Sequence, residues 1–325
     1  MRAYIVNEPN GLFLPIDISR PVPAAGEVLV SVRASGVNPL DTKIRAAKAA
    51  HAQQALPAIL GIDMAGVVEE LGEGVTSFRV GDEVYGMVGG VGGHQGTLAE
   101  YIAVDADFLA GKPVSLSMRE AAALPLAVIT AWEGLVDRAH AHAGQKVLIH
   151  AGAGGVGNVA VQIAVALGAE VFATVSPSKF DIVRCFGATP IDYTTQTVEQ
   201  YVAAHTQGKG FDIVYDTVGG ATLDDSFKAV KHYTGHAVSC LGWGSHALAP
   251  LSFRGASYSG VFTLLPLLTG EGRAHHGHIL SEATKLAEAG KLKPLLNEKR
   301  FSAVDIEAAH ALVEAGAMGK VVIEL

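Results

Sequence analysis

The chain has 325 residues, 49% of them apolar and 17% charged, with a formal net charge of −8 at pH 7. That length suits one large or two medium domains, and no uninterrupted run of about 18 apolar residues exists to cross a membrane, so a soluble globular protein is expected. The negative charge disfavours nonspecific binding to nucleic acid, and the two cysteines, Cys185 and Cys240, lack the spacing of a disulfide framework or a structural zinc site.

In chain order, residues 1–122 read mostly as strands. Met1-Arg-Ala-Tyr-Ile-Val6 is strand-like and has no signal-peptide core, so a reducing, cytoplasmic setting is expected. Glu27 to Ala34 alternates inward and outward; Asp63 to Leu71 and Thr97 to Val104 do so less cleanly. Asp41 to Leu56 is alanine-rich and predicts a short helix running into a loop. Gly86, Gly89, Gly90, Gly92, Gly93 and Gly96 crowd a stretch with no flanking strand–helix pair. It reads as a mobile surface loop.

A βαβ rhythm follows. Ser117-Met-Arg-Glu120 is a capping box that opens a helix toward Trp132. Strands are predicted near 147–149, 170–175, 190–192, 212–216, 236–241 and 257–262, which implies a doubly wound parallel sheet. After about residue 263 the chain returns to the first domain. A helix near 278–289 ends at Gly290, Ser302 to Asp305 caps another, and Lys320 to Leu325 closes as a strand.

The stretch richest in chemical information is Lys146 to Ala169. Val147 to Ile149 suits a buried strand, and Gly152, Gly154 and Gly157 stand in G-x-G-x-x-G register. Val156, Val159, Ala160, Ile163, Ala164 and Leu167 then follow at helical spacing before Gly168. A strand, a tight turn and a helix whose N–H groups and dipole face outward form a pyrophosphate site. A dinucleotide is expected there.

NAD sites place an acid at the end of the second strand, about 20 residues past the glycines. Here that strand, Glu170 to Val175, has its acid at the wrong end and runs into Ser176-Pro-Ser-Lys179. Two hydroxyls and an ammonium donate hydrogen bonds and neutralise charge, which suits the 2′-phosphate of NADPH. The competing readings are helix N-capping for Ser176 and Ser178 and a solvated side chain for Lys179.

Gly36-Val-Asn-Pro-Leu-Asp-Thr-Lys43, Gly61-Ile-Asp-Met-Ala-Gly-Val-Val68, Phe78 to Gly86, the glycine turn, Asp212 to Gly219 and Gly319-Lys-Val-Val322 occur in one order. With these motifs the chain resembles, over essentially its full length, the zinc-free quinone oxidoreductases (zeta-crystallin-like) of the medium-chain dehydrogenase/reductase superfamily. The resemblance implies an α/β fold: a GroES-like, β-rich catalytic domain, residues 1–122 plus 263–325, with an inserted Rossmann domain, residues 123–262. That insert is a doubly wound, six-stranded parallel sheet, and the family's active cleft lies between the domains. Zinc-dependent relatives carry a cysteine in place of Asn38 and a Gly-His-Glu motif in place of Gly61-Ile62-Asp63. The resemblance therefore implies no metal. His275, His276 and His278, like His140 and His142, read as exposed helix-start or loop residues, and His310 as packed or capping.

Carried over residue by residue, the resemblance implies Asn38, Lys43 and Thr130 as catalytic candidates. Asn38 and Thr130 would approach the nicotinamide and its ribose. Gly154, Gly155 and Val156, with Gly152 and Gly157, would line the pyrophosphate turn. Ser176, Ser178, Lys179 and Tyr193 would meet the 2′-phosphate. Thr217, Leu241, Gly242, Trp243 and Phe262 lie at strand C-terminal ends, where open α/β sheets bind ligands, and Lys320 is a candidate to reach the cofactor. Lys43 stands where many of the family have a tyrosine; a lysine there would stabilise an enolate or bind an anionic substrate, the alternative being a solvated side chain.

Three functions are weighed. The first is NADPH-dependent reduction of a quinone, whose conjugation accepts hydride without a Lewis acid. The second is reduction of an activated alkene: an enal, enone or acrylate-type substrate. The third, a nucleotide-binding structural or RNA-binding protein, is disfavoured by the charge and the lack of an arginine–aromatic stripe. A small-molecule substrate is expected, with no nucleic-acid or membrane partner. The resemblance also implies a homodimer or tetramer, for which Tyr258 to Phe262 is a candidate edge.

Overall fold

A computed structural model describes residues 1–325. The chain divides into two compact units, Met1–Ile129 with Leu264–Leu325, and Thr130–Thr263.

The first unit is organised around the long strand Glu27–Val37. Asp63–Leu71 pairs antiparallel along one edge. The other edge is shared: Tyr101–Asp105 covers Glu27 to Ser31, and the chain-closing strand Val321–Glu324 covers Ala34 to Val37. The sheet extends through Glu83–Met87 to Leu109–Gly111. The expected alternation of Glu27 to Ala34 does not hold, because from Val28 to Val37 only Arg33 is exposed. A central strand with helices Met118–Ala121 and Ile306–Glu314 packed on it is covered on both faces and needs apolar or small residues throughout.

Two helices in this unit are shorter than their sequence patterns suggest. Pro39–Arg45 starts on a capping box between Asn38 and Asp41, but Ala47 takes φ 53° and the helix stops. Only a short 3-10 turn, Ala50–Ala52, follows. The Ser117 capping box forms as predicted, yet its helix ends at Ala121, and a new helix starts at Pro125 and runs to Trp132. Proline has no N–H to continue the first helix and fits the first turn of the second. The helix placed near 278–289 starts earlier and spans Arg273–Glu288. Thr97 to Glu100 is not strand; the strand begins at Tyr101.

The glycine run near residue 90 also differs from expectation. Val88 to Val91 are buried, and only Gly92 to His94 are exposed. A Cβ at Gly89 would lie 2.0 Å from the Gln95 carbonyl oxygen, and one at Gly90 would lie 2.7 Å from that of Gly61. These glycines let backbones pack in contact, so the run is a wedged core segment rather than a surface loop.

The second unit is a six-stranded, all-parallel sheet. Its order is Thr189–Asp192, Glu170–Val175, Lys146–His150, Ile213–Asp216, His236–Ser239, Ser257–Gly260. The direction of winding reverses between Lys146–His150 and Ile213–Asp216, which places the ligand-binding crevice of such sheets at those two C-terminal ends. Leu148, Phe172, Ile191, Phe211, Val214 and Phe227 belong to one buried cluster in this unit. Each contributes about 1.5–3 kcal/mol by leaving water.

Candidate active site

The glycine turn is built for close backbone passage. After the strand Lys146–His150 the chain turns through Ala151, at φ 53°, and enters helix Gly155–Ala166. A Cβ on Gly157 would stand 2.1 Å from the Ala151 carbonyl oxygen, and one on Gly152 would stand 2.5 Å from the Ala173 Cβ. Gly155 instead has open space, with nothing within 4 Å of a Cβ. Gly154 is the N-cap residue and no side chain caps the helix start. Asn158 donates inward, to the Gly154 and Gly155 carbonyls. The helix therefore offers N–H groups and the positive end of its dipole into open space, which fits an anionic pyrophosphate.

Beside the turn is a cavity of about 620 Å³, lined among others by His150, Thr174, Tyr193, Tyr201, Asp225 and Lys228. Tyr193 is 60% exposed and lines this cavity, whereas Ser176, Ser178 and Lys179 are not among its lining residues. Ser176 and Ser178 hydroxyls face each other at 3.2 Å, and Ser176 makes no cap bond, so capping is not its role. Lys179 is half-buried, at the end of the short turn Pro177–Lys179.

His150 was missed in the sequence, although a polar residue ending an apolar strand just before the glycines was the available signal. Its Nδ1 lies 3.0 Å from the Thr174 hydroxyl, and Nε2 has no partner. Burial pushes its pKa down to about 4, against the opposing pull of Asp216. The ring is neutral at neutral pH.

The other expected cofactor residues occupy neighbouring loops. Thr217 donates its hydroxyl to the His150 carbonyl at 2.7 Å, across the switch point. Buried Asp216 holds the loop after it, accepting from the Val218 and Gly219 N–H groups and from the Ser239 hydroxyl. Leu241 is half-buried and donates its N–H to Ser239 Oγ, and Gly242 beside it is exposed. Trp243, 52% exposed, meets Phe262 edge-on with centroids 6.1 Å apart. Thr130 is buried, and its carbonyl accepts the Tyr215 hydroxyl at 2.6 Å.

In the first unit, three residues far apart in sequence meet in one buried cluster. Asp63 Oδ2 accepts from Asn38 Nδ2 at 3.0 Å and from Lys320 Nζ at 3.2 Å, while Oδ1 accepts the Leu126 N–H at 2.9 Å. Lys320 Nζ also donates to Asn38 Oδ1. The Asn38 N–H donates to Asp41 Oδ2 at 2.8 Å, leaving Asp41 Oδ1 buried without a partner. Burial pushes Asp41 up to about 7; the hydrogen bond from Asn38 opposes this and the Asp63 charge adds to it. Asp63 is also raised, chiefly by burial, against the pull of Lys320. Lys320 is thus committed to Asn38 and Asp63. Lys43 is exposed on the helix surface. Asp41 and Asp63 were overlooked as site residues; their signal was two carboxylates beside Asn38 in motifs already singled out.

The histidines divide. His140 is exposed and His310 is buried beside Phe13, whereas His276 is fully buried, contrary to the surface expectation. It sits on the inward side of Arg273–Glu288. No three His, Cys, Asp or Glu side chains are grouped to hold a metal ion. At the place of the zinc relatives' ligands stand an amide, one carboxylate and an ammonium that already supplies positive charge. That donor set does not fit zinc, which needs three protein ligands.

Residues 24–114 match the alcohol dehydrogenase GroES-like domain family and residues 186–323 the family described as zinc-binding dehydrogenase. The chain is 36% identical to the 2-methylene-furan-3-one reductase of Solanum lycopersicum, over 91% of this chain and 71% of the relative. It is 35% identical to the chloroplastic NADPH-dependent alkenal/one oxidoreductase of Arabidopsis thaliana, over 99% and 79%. Among solved structures, an alcohol dehydrogenase superfamily protein from Novosphingobium aromaticivorans superposes with a TM-score of 0.98 at 57% identity, covering 100% of this chain and 99% of that one.

Proposed function

The chain belongs to the medium-chain dehydrogenase/reductase superfamily and is an oxidoreductase, and from that premise we propose that it is an NADPH-dependent reductase of the carbon–carbon double bond of α,β-unsaturated carbonyls. The observation that carries this reading is the amide–carboxylate–ammonium cluster of Asn38, Asp63 and Lys320 at the place of the zinc relatives' ligands. A substrate that must accept hydride there without a Lewis acid has to spread the charge by conjugation. Both named relatives reduce such acceptors by name, which favours alkenals and enones over the quinones first expected.

When bound, NADPH supplies the hydride that adds to the β-carbon of the alkene. The chain's part is to bind, orient and exclude water. Helix Gly155–Ala166 holds the pyrophosphate at its uncapped end, and Ser176, Ser178, Lys179 and Tyr193 meet the 2′-phosphate. Asn38 donates to the carbonyl oxygen as enolate charge gathers on it, and water gives the α-carbon its proton. Lys43, exposed on the same short helix as Asp41, is available to an anionic substrate group.

Free thiols at Cys185 and Cys240 support a reducing, cytoplasmic setting. The edge position of Ser257–Gly260, with Phe253 84% exposed nearby, supports pairing of two copies along that strand.

The experiment is NADPH oxidation against a matched panel of 2-alkenals, enones and quinones, with product analysis. The expected result is the highest kcat/KM on alkenals or enones, giving the saturated carbonyl. A preference for quinones, or an allylic alcohol as product, would sink the reading.

A further inference from the structure

The Asn38 amide is held from both of its ends by groups that differ in kind. A carboxylate only accepts, and Asp63 Oδ2 meets Nδ2 at 3.0 Å. An ammonium only donates, and Lys320 Nζ meets Oδ1. Turning the amide over would set its oxygen against the carboxylate and its NH2 against the ammonium, two repulsions in a site where Asp63 is 0% and Asn38 2% exposed. The amide therefore has one orientation.

That orientation leaves defined donors. Nδ2 carries two hydrogens, of which Asp63 takes one. Nζ carries three, of which Asn38 and Asp63 take two. One N–H of each remains. The remaining oxygen of Asp63 does not compete, because it accepts the Leu126 N–H at 2.9 Å. The Asn38 N–H is the directed one, fixed by the single orientation of the amide, and it suits a developing oxyanion.

We propose that Asp63 and Lys320 are positioning residues of the reductase, clamping the Asn38 amide so that its second Nδ2–H is presented to the carbonyl oxygen of the substrate. This rests on the reductase reading above. The clamp acts on the step in which charge moves to that oxygen, so it governs kcat more than KM.

The test is a double-mutant cycle. Asn38→Ala is expected to lower kcat by about 10²-fold or more, with KM changed far less. Lys320→Met and Asp63→Asn should each lower kcat at least tenfold, and Lys320→Arg, which keeps the charge and donors, should recover much of the loss. The decisive reading is non-additivity: Asn38→Ala with Lys320→Met should be no slower than Asn38→Ala alone, because Lys320 works through Asn38. A fully multiplicative loss, or a kcat within twofold of wild type for Lys320→Met, overturns the proposal. Should Lys320→Met fail to fold, the Asp63→Asn arm makes the same measurement from the other end of the amide. In 15N-labelled protein, Asp63→Asn should also shift the Asn38 side-chain amide resonance; an unmoved resonance overturns the clamp whatever the rates show.

The same series is run with a quinone, whose reduction also loads a carbonyl oxygen. Wild-type turnover of quinones but not alkenals ends the functional reading, while the cycle on the quinone still decides the clamp. Turnover of neither overturns both.

Discussion

Gly157 and the Ala151 carbonyl oxygen approach so closely that a Cβ on the glycine would lie 2.1 Å from that oxygen. Any side chain at residue 157 must push the helix start away from the strand end that aims it. Gly157→Ala is therefore expected to weaken NADPH binding by roughly tenfold or more, about 1.4 kcal/mol, read by fluorescence titration. Gly155→Ala is the control: open space surrounds that Cβ position, so folding should be unaffected while a bound pyrophosphate would meet the new methyl. Unchanged affinity in both variants would remove the turn from the cofactor site.

Lys179 is the residue proposed to select between the two dinucleotides. A charge-assisted hydrogen bond is worth about 1.5–3 kcal/mol, so Lys179→Ala should raise KM for NADPH by roughly 10- to 100-fold. KM for NADH, which lacks the 2′-phosphate, should move less than about twofold. Equal changes for the two would refute the assignment. Steady-state kinetics with both cofactors makes the measurement.

Asp41 makes stability fall as pH rises. Its folded pKa, raised by burial to about 7, lies above the ordinary 3.8. Between about pH 4 and 7 the native state holds a proton the unfolded chain has released. The contribution is complete below pH 4 and is lost progressively up to pH 7, by a few kcal/mol at most at about 1.4 kcal/mol per unit. Asp41→Asn keeps an oxygen for the Asn38 N–H but cannot ionise. Its Tm should decline less than that of wild type between pH 5 and 8; parallel curves would show that Asp41 does not titrate in this window.

His310 has the opposite sign. Burial, with Arg45 adding, pushes it down to about 3, and its ring packs 4.6 Å from that of Phe13. The unfolded chain takes up a proton near pH 6.5 that the native state refuses, so stability is lost as pH falls from there toward 3. His310→Phe, apolar and similar in shape, should move the acid-unfolding midpoint to lower pH. His150, held at about 4 by burial, contributes with the same sign and leaves part of the acid limb in place. An acid midpoint that did not move would assign the whole limb elsewhere.

What could be read without coordinates was whatever the chain states locally. The strands at Lys146–His150 and Glu170–Val175 carry apolar runs, Val147 to Ile149 and Val171 to Ala173, and the turn after the first is marked by glycines whose spacing reflects contact with Ala151 and Ala173. Helix lengths were misread where one residue overrode a pattern, as Pro125 does after the Ser117 box. The alternation of Glu27 to Ala34 misled because serine and alanine fit a buried face as readily as an exposed one. The Asn38–Asp63–Lys320 cluster joins residues up to 282 positions apart. No periodicity records such a meeting; each member looked like an isolated motif residue until the sheet brought them together.

The strand Val321–Glu324 takes its place beside Ala34 to Val37, so the first unit joins a segment made before the second unit to one made after it. The second unit, Thr130–Thr263, is contiguous and has its whole parallel sheet in hand well before that. On a ribosome the nucleotide-holding unit therefore can fold early, as domains made first do, while the long strand of the other keeps half an edge bare. Asp63 meanwhile waits without its cation. Until Lys320 emerges, the amide of Asn38 has no partner at its oxygen, so the oxygen-binding end proposed for the reaction becomes competent only after the second unit is complete.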